Sequence, residues 1–484
     1  MLLLRMFTSI GIDLMASRWF GDLRLSKRFG HIVTQLLLNF GHSLPQSMGN
    51  KHQTKAAYNF MSHRKVDVQG LYSSDAYRLQ DRIEFFSGHT YLAMSDTTTL
   101  NYTTNKSSSR IGYLDTIKQK GYHMQTLMLC DSTGCPEGLL RSGFYNRRAQ
   151  DLHKSAQVSS AKVSKQSIEE KESYRWLEDL EALHTLFDKM TQHRFIHIMD
   201  REGDIFEVFS ARRYDHIHIL CRLQHDRKLI DKDLKIKALV AQQAPVGELE
   251  LTFLDRRKKE AKDPRAKRVK RTVVLEVRVA PVRVDVPRDL KVYQKNKGYQ
   301  PLDLYVIHTR EIPNPDTLDD EFEPLEWFLI TSIPVQTAEQ AIELIQYYAN
   351  RWRIEDFHLV LKEGSQVERF QYQDDHQLKN ALTVYAIVAI QVLRLRCLDK
   401  TQPNQPCQIL GFQPQAYQIV ADFLIQVKKV KIIKKEQPTV RDLIQLLMIL
   451  GTGNHKATGV RALWKGLRDF DLIYQAISMK TNST

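Results

Sequence analysis

The chain has 484 residues, of which 42% are hydrophobic and 26% are charged. This composition is typical of folded globular domains and excludes a collagen-like, low-complexity or mostly disordered chain. The length predicts roughly three domains. Lys and Arg outnumber Asp and Glu, giving a formal net charge of +14, and such a surface attracts polyanions, of which nucleic acid is the commonest. Membrane surfaces and acidic proteins remain alternatives on charge alone.

The cysteine count and the apolar stretches indicate in which cellular compartment the protein resides. Five scattered cysteines do not suit a disulfide framework, and an odd count leaves one thiol unpaired in an oxidising environment. The N-terminal stretch does not resemble a signal peptide, because Arg5 and Asp13 interrupt it and it lacks a small-residue cleavage site. The apolar stretch 381–393 contains Gln391 and is shorter than the roughly 20 residues that a membrane span needs. We therefore expect a cytoplasmic protein outside the membrane.

The first 70 residues read as helical. Asp22 and Asn50 are suitable N-caps for two helices. Basic residues lie on both of them, namely Arg24, Lys27 and Arg28 on the first and Lys51, His52 and Lys55 on the second. This arrangement predicts a small DNA-contacting module, with a solvated helix face as the alternative.

Strands and helices then alternate. Apolar runs at 90–96, 123–134 and 138–146 read as adjacent, antiparallel strands. A helical stretch at 164–191 precedes the buried strand 195–199, and a helix is expected from Ile205. The alternation predicts an α/β core. Asp96 and Asp200 each follow an apolar strand, where a side chain emerges at the sheet edge on a rigid backbone.

Residues 216–310 read as a β-rich segment inserted before the last motif. Between two of its strands lies the run RRKKEAKDPRAKRVKR at 256–271, which is either a solvated loop or a phosphate-contacting one. A helical region follows from about residue 380 and contains the basic run 428–435.

A long helix from Thr337 to about Glu363 opens with a capping box, Thr337 with Gln340. At about 100° per residue, Tyr348, Arg351, Glu355 and Lys362 fall within about 60° of one another. An ordinary i,i+4 ion pair on an amphipathic helix is the simpler explanation of Arg351 and Glu355. Three carboxylates brought together, however, suit Mg²⁺ or Mn²⁺, and two such ions can promote phosphodiester cleavage.

Three motifs resemble the DDE transposases of bacterial insertion sequences, specifically the IS-four family that includes the Tn-five transposase. They are SDTTTLNY at 95–102, MDREGDI at 199–205 and YANRWRIEDFHLVLK at 348–362, which fits Tyr-x2-Arg-x3-Glu-x6-Lys. Asp200 follows Asp96 by 104 residues, and Glu355 follows Asp200 by 155. Segments 21–29 and 458–470 also resemble the N-terminal end-binding and C-terminal dimerisation regions of that family, so the resemblance covers nearly the whole chain.

The resemblance implies an RNase H-like core interrupted by the β-rich insertion, with helical N-terminal DNA-binding and C-terminal dimerisation domains. The implied boundaries are 1–70, 71–370 and 371–484. It further implies a triad of Asp96, Asp200 and Glu355 that binds Mg²⁺ or Mn²⁺, with two ions per active site. The residues implied to contact DNA are Tyr348, Arg351, Lys362 and Arg222, with Trp327 receiving a flipped base and Trp352 displacing it. Leu359 stands where the Tn-five-type enzyme has a Lys, which affects strand affinity rather than chemistry.

The function predicted is cut-and-paste DNA transposition with divalent metal, acting on transposon-end and target double-stranded DNA. The resemblance implies cleavage through a hairpin intermediate, a homodimer in the synaptic complex and no nucleotide cofactor. A catalytically silent DNA-binding regulator and a metal-dependent nuclease without strand transfer are the alternatives. The sequence lacks the GxxxxGK[ST], HExxH and G-x-S-x-G motifs. His123, His197 and His218 read as core or surface residues rather than ligands.

Overall fold

The computed structural model describes residues 20–84, 88–105, 111–149, 152, 166–230, 232–255, 269–313, 322–372, 374–410, 412–428, 435–453 and 460–481. The chain divides into two compact units. Unit I comprises residues 1–86, 97–155 and 353–484, and unit II comprises 87–96 and 156–352. Most of the basic runs 256–271 and 428–435 lies outside the described residues. The predicted division into three domains stays a prediction.

Strand β1 contributes its first half to unit II and its second half to unit I. The strands are β1 (Thr90–Asn101), β2 (Gly121–Asp131), β3 (Pro136–Tyr145), β4 (Arg194–Met199), β5 (Ile217–Arg222), β6 (Gly247–Asp255), β7 (Val269–Val284), β8 (Leu302–Glu311) and β9 (Glu326–Thr331). In unit II the order is β1-β4-β5-β9-β8-β7-β6, and in unit I it is β3-β2-β1. Strands β1, β4 and β5 are parallel, whereas β5 to β9 and the pairs from β9 to β6 are antiparallel.

Helices surround both sets of strands. In unit I they are α1 (Leu23–Leu38), α2 (Leu44–Met48), α3 (Lys51–Met61), α4 (Val68–Glu84), α10 (Trp352–Leu359, from its second residue), α11 (Asp375–Thr401), α12 (Pro414–Lys428), α13 (Val440–Thr452) and α14 (Val460–Thr481). In unit II they are α5 (Arg175–Phe187), α6 (Phe206–Ser210), α7 (Ile236–Ala241), α8 (Arg288–Tyr293) and α9 (Ala338–Ala349). The large sheet flanked by helices confirms the mixed α/β class predicted from the alternation.

The N-terminal helices begin where the sequence predicts. The carboxylate of Asp22 accepts from Arg24 N at 2.9 Å, and Asn50 Oδ1 accepts from Gln53 N at 2.9 Å. These caps satisfy backbone donors that the first turn of a helix leaves unpaired. Rings of three phenylalanines, whose centroids lie within 5.7–6.0 Å of one another, pack the first helices together: Phe20, Phe29 and Phe60.

Helix α11 is the core helix of unit I. Buried residues lie all around this helix, so it is apolar on every face rather than amphipathic. Among the described residues it is the one helix whose length and hydropathy would permit a membrane span, but 89% of its most apolar window is buried inside the protein. The predicted apolar stretch 381–393 therefore packs against the rest of unit I.

Two sequence-based predictions of helix and strand extent are corrected. The predicted helix 164–191 is two short 3-10 turns at 168–170 and 172–174 followed by α5. The segment 216–310 is not purely β, because α7 and α8 lie between its strands. Apolar residues of both helices, including Ile236 and Leu290, join the hydrophobic core of unit II. Burial of these apolar faces, rather than strand periodicity, decides their local structure.

The predicted long helix is broken. Its capping box is present, with Thr337 accepting from Gln340 N, but α9 ends at Ala349 and α10 begins at Trp352. Arg351 N donates to Tyr348 O at 2.9 Å, an i→i−3 turn, and a π-helical turn follows α10 at Val360–Gly364. Asparagine favours helix ends over helix interiors, and Asn350 is the C-cap here. The assumption of a regular 100° spacing from Tyr348 to Lys362 was therefore wrong.

Candidate active site

The two predicted aspartates of unit II each lie two residues beyond the last paired residues of the neighbouring parallel strands β1 and β4. Along β1 and β4 each residue faces the one 104 positions later, from Thr90 opposite Arg194 to Met94 opposite Ile198. The observed pairing ends at Met94 and Ile198, and the same offset continued by two residues would bring Asp96 opposite Asp200, whose backbone is extended (φ −79°, ψ −166°). In-register residues of parallel strands project from the same face of strands about 4.8 Å apart, so this offset predicts neighbouring carboxylates.

Asp96 does not end its strand, contrary to the prediction. Strand β1 continues to Asn101, through Thr97, Thr98 and Thr99. β-branched threonines favour extended backbone, so the strand runs on past the carboxylate. Asp200, in contrast, follows β4 directly, as predicted, and its Oδ1 accepts from Glu202 N at 2.9 Å.

Arg222 extends the same row by one strand. Met199 faces Cys221 across β4 and β5, and Asp200 and Arg222 are the next residues along the chain after this pair. The thiol of Cys221 donates to Asp200 O at 3.0 Å, and Arg222 Nη2 donates to Glu326 O at 3.3 Å. Burial lowers the pKa of Arg222, and the neighbouring Asp200 opposes that shift. Three charged side chains thus line one edge of the parallel strands.

The turn between α9 and α10 supplies a second cation and a phenol. Arg351 Nη1 lies 3.6 Å from Asp96 Oδ2, and the two side chains are 11% and 18% exposed. Tyr348 is buried, and burial raises its pKa to about 12 although the nearby Arg351 and Arg222 act in the opposite direction. The phenol therefore stays protonated near neutral pH. Two predicted DNA contacts thus lie beside the predicted catalytic aspartates.

Both predicted tryptophans are packed within unit II. Trp327 on β9 is 3% exposed, and its ring meets that of Tyr348 edge-on, with 5.2 Å between centroids. The ring of Trp352 lies 5.4 Å from that of Phe253 on β6. The β-rich insertion thus provides packing for Trp352. A base could stack on Trp327 only after the side chains that cover it move aside.

Glu355 and Lys362 belong to unit I. Glu355 lies in the first turn of α10. Lys362 Nζ donates to Thr99 O at 2.8 Å, and it lies 3.8 Å from Glu368 Oε1. The ammonium is therefore held to β1 three residues beyond Asp96. Leu359, at the position of a family Lys, is 52% exposed.

The three basic residues predicted to contact DNA differ in their surroundings. Arg24 and Lys27 are exposed, whereas Arg28 Nη1 donates to Gln53 Oε1 and so ties α1 to α3. The side chain of Arg24 is 95% exposed and lies 3.9 Å from Asp22. Arg24 and Lys27 are thus placed to meet a polyanion, and Arg28 also has a structural role.

The chemistry of the donor set fits a hard divalent cation in part. Asp96 and Asp200 are neighbouring carboxylates, the ligand type that Mg²⁺ and Mn²⁺ prefer. Within the described ranges, no group of three or more His, Cys, Asp or Glu side chains is arranged to hold a metal ion. Unit II by itself therefore offers two of the three predicted ligands.

Sequence analysis missed two polar features of this region. Ser95 Oγ and His197 Nε2 form a hydrogen bond of 2.7 Å across β1 and β4, and burial lowers the pKa of His197 to about 4. His197 is thus a hydrogen-bonded core residue, as predicted, although its partner was not foreseen. The second feature is Asp204, a fully buried carboxylate paired with Arg227. The MDREGDI motif contains both Asp200 and Asp204, and only the structure shows that their surroundings differ.

A family model described as "Transposase DNA-binding" matches residues 12–66, which include α1, α2 and α3. Among solved structures, the chain is similar to a cryo-EM structure of the piggyBac transposase synaptic complex with hairpin DNA, at 8% sequence identity and a TM-score of 0.32. That match covers 68% of this chain and 51% of the other, so the chain spans about half the length of that transposase chain. The family match supports a transposase whose N-terminal segment binds DNA.

Proposed function

We propose that this chain is a cut-and-paste DDE transposase of the IS-four family, which cleaves transposon ends and joins their 3′ ends to target DNA. The observation that carries the proposal is the row of Asp96, Asp200 and Arg222 on three neighbouring parallel strands. Arg351, from the family motif, reaches the same row. The match of the N-terminal segment to a transposase DNA-binding family adds the second component that such an enzyme needs.

An RNase H-like core is part of this proposal. Its support is the parallel set β1, β4 and β5, which brings acidic residues from two strands to one edge. A rigid sheet holds such side chains more precisely than a loop does. Strand β5, at the start of the segment 216–310 predicted as the insertion, then belongs to the core, and the insertion is the part formed by β6, β7 and β8.

The metal-binding residues in this proposal are Asp96, Asp200 and Glu355. Mg²⁺ or Mn²⁺, two ions per site, would supply activation of water and stabilisation of the leaving oxygen when bound. Arg351 and Arg222 place positive charge beside the carboxylates, where a DNA phosphate would otherwise be repelled. Tyr348, protonated at neutral pH, offers a hydroxyl donor to a phosphate oxygen.

The remaining partners and roles follow from the resemblance. Lys362 contacts an end phosphate, and Arg24, Lys27 and Arg28 contact the transposon end. The homodimer of the synaptic complex uses the C-terminal helices, and the protein acts in the cytoplasm. Second-strand cleavage passes through a DNA hairpin, with a flipped base on Trp327 and Trp352 in the vacated gap.

The test is a cleavage assay on labelled duplexes that carry the terminal repeats of the element encoding the chain. We expect metal-dependent nicks, hairpins and, with target DNA, joined products. Nicks without joined products would identify a nuclease that lacks strand transfer. Specific end binding without cleavage in Mg²⁺ or Mn²⁺ would identify a silent regulator, and either result would overturn the proposal.

A further inference from the structure

Asp204 is the buried acidic residue of the MDREGDI segment, and both oxygens of its carboxylate accept hydrogen bonds. Its side chain is fully buried, and that of Arg227 is 10% exposed. One carboxylate oxygen accepts from Gln224 N at 2.6 Å and from His225 N at 2.7 Å, while the other accepts from Arg227 Nη1. Arg227 Nη2 also donates to Asp204 O at 2.8 Å. Two backbone amides thus contact one carboxylate oxygen, and the guanidinium of Arg227 contacts the other together with the backbone carbonyl of Asp204.

These bonds join two loops that leave adjacent parallel strands. The first loop follows β4: Asp200 caps the 3-10 turn Arg201–Gly203, and Asp204 is the centre of a tight turn in which Ile205 N donates to Gly203 O at 2.8 Å. The second loop follows β5 and begins directly after Arg222. The hydrogen bonds of Asp204 therefore link the segment that carries Asp200 to the segment that follows Arg222.

Stability alone is a weak explanation for a buried ion pair at this place. A buried ion pair often contributes little net stability, because desolvation of the two charges offsets their attraction. Fixing the position of neighbouring groups is a better-supported use of a fully hydrogen-bonded buried network. The thiol of Cys221, which donates to Asp200 O at 3.0 Å, adds a link between β5 and the start of the first loop.

We propose that Asp204 is a positioning residue that sets the placement of Asp200 relative to Arg222, through its bonds to Gln224, His225 and Arg227. The proposal rests on the proposed function, because it assumes that the row of Asp96, Asp200 and Arg222 is the catalytic site. Because donors of the protein contact both oxygens of Asp204, we assign it no direct contact with DNA or metal.

The informative variant is Asp204→Asn, which preserves the volume but removes the charge and turns one acceptor into a donor. We expect the cleavage rate constant to fall by about tenfold or more, because small misplacements of catalytic groups are costly. The affinity for end DNA should change by less than about twofold. Mn²⁺ binding, followed by electron paramagnetic resonance without DNA, should weaken by about tenfold. Amide hydrogen exchange at Gln224 and His225 should accelerate.

Arg227→Lys is the second variant, in case Asp204→Asn does not fold. This variant retains the positive charge and the two hydrogen bonds from the backbone amides of Gln224 and His225 to Asp204. It loses only the two-point contact of the guanidinium, so we expect a smaller loss of cleavage and of Mn²⁺ affinity. The control is Glu343→Gln, which breaks an ion pair to Arg194 at the opposite end of β4. This control should leave the rate constant and Mn²⁺ affinity unchanged.

The outcomes separate the two proposals. Wild-type protein that neither cleaves nor binds Mn²⁺ refutes the proposed function. Wild-type protein that does both, with variants that match it in rate constant and Mn²⁺ affinity, refutes the positioning role. Variants that lose thermal stability and DNA binding but keep the wild-type rate constant per bound complex also refute it, because they assign Asp204 to folding alone.

Discussion

Arg351 Nη1 lies 3.6 Å from Oδ2 of Asp96, so a guanidinium from the turn between α9 and α10 partly neutralises one of two neighbouring carboxylates. Carboxylates on neighbouring strands repel each other strongly when solvent is largely excluded. The cation beside Asp96 thus explains how unit II accommodates two adjacent acids.

Removal of that cation should make stability depend on metal. We predict that Arg351→Met lowers the melting temperature by roughly 3 °C or more in EDTA, because the repulsion between Asp96 and Asp200 is then less compensated. Mg²⁺ should restore part of this loss. Differential scanning calorimetry with and without Mg²⁺ measures the effect. Arg283→Met, which removes an exposed cation 3.7 Å from Asp303, is the control, and an equal metal response in both variants would contradict the prediction.

The carboxylates should be essential for chemistry but not for DNA binding. We predict that Asp96→Asn, Asp200→Asn and Glu355→Gln each reduce end cleavage by about a thousandfold or more, since each removes a proposed metal ligand. End binding in gel-shift assays should stay nearly unchanged, because other basic residues provide it. Asp303→Asn is the control. A variant that still cleaves would remove that residue from the triad.

The exposed bases of α1 should contribute to affinity through phosphates. We predict that Arg24→Ala and Lys27→Ala each weaken end binding and reduce the salt dependence, the slope of log Kd against log salt, by about one unit for each phosphate that is no longer neutralised. Lys291→Ala, which removes a half-exposed lysine of unit II, should leave the slope unchanged. An unaltered slope in both α1 variants would place the end-binding surface elsewhere.

Trp327 should matter for the hairpin step rather than for the first nick. A flipped base loses its stacking in the duplex, and an aromatic ring restores about 1–3 kcal/mol. We predict that Trp327→Ala permits first-strand nicking but reduces hairpin formation by about tenfold or more. Denaturing gels resolve both products. Normal hairpins would exclude this role, whereas loss of nicks as well would indicate damage to the packing against Tyr348.

Buried His197 should make stability fall with acid. Burial lowers its pKa to about 4 from 6.5, so between these values the unfolded chain binds the proton and the folded chain does not. The stabilisation is complete above pH 6.5 and is lost progressively as the pH falls towards 4, by an amount on the order of 3 kcal/mol. We predict a shallower fall in melting temperature from pH 7 to pH 5 for His197→Gln. The exposed variant His52→Gln should retain the wild-type dependence.

Local signals in the sequence predicted the elements well. Asp22, Asn50 and Thr337 cap helices because a short polar side chain next to the first turn can meet its unpaired amides. Alternation and apolar runs indicated the strands, including β4 with Asp200 after it. Such signals depend on residues a few positions apart, so the sequence by itself contains them.

The extent of the elements depended on their surroundings. The sequence predicted that β1 ends at Asp96 and that one helix runs from Thr337 to Glu363, and both predictions were wrong. The threonines after Asp96 and the strands on either side of β1 extend that strand, and Asn350 at the C-cap ends α9.

By itself, the sequence determined the mixed α/β class, the basic N-terminal helices and the candidate residues Asp96, Asp200 and Arg351. Only the tertiary structure decided that Asp96 and Asp200 lie at the same end of two paired parallel strands, that Arg351 stands beside Asp96 and that Asp204 is buried against Gln224, His225 and Arg227. The physical reason is that register and burial depend on contacts between segments far apart in the chain. Asp200 and Asp204, four residues apart, therefore look equivalent in the sequence but have different surroundings in the fold.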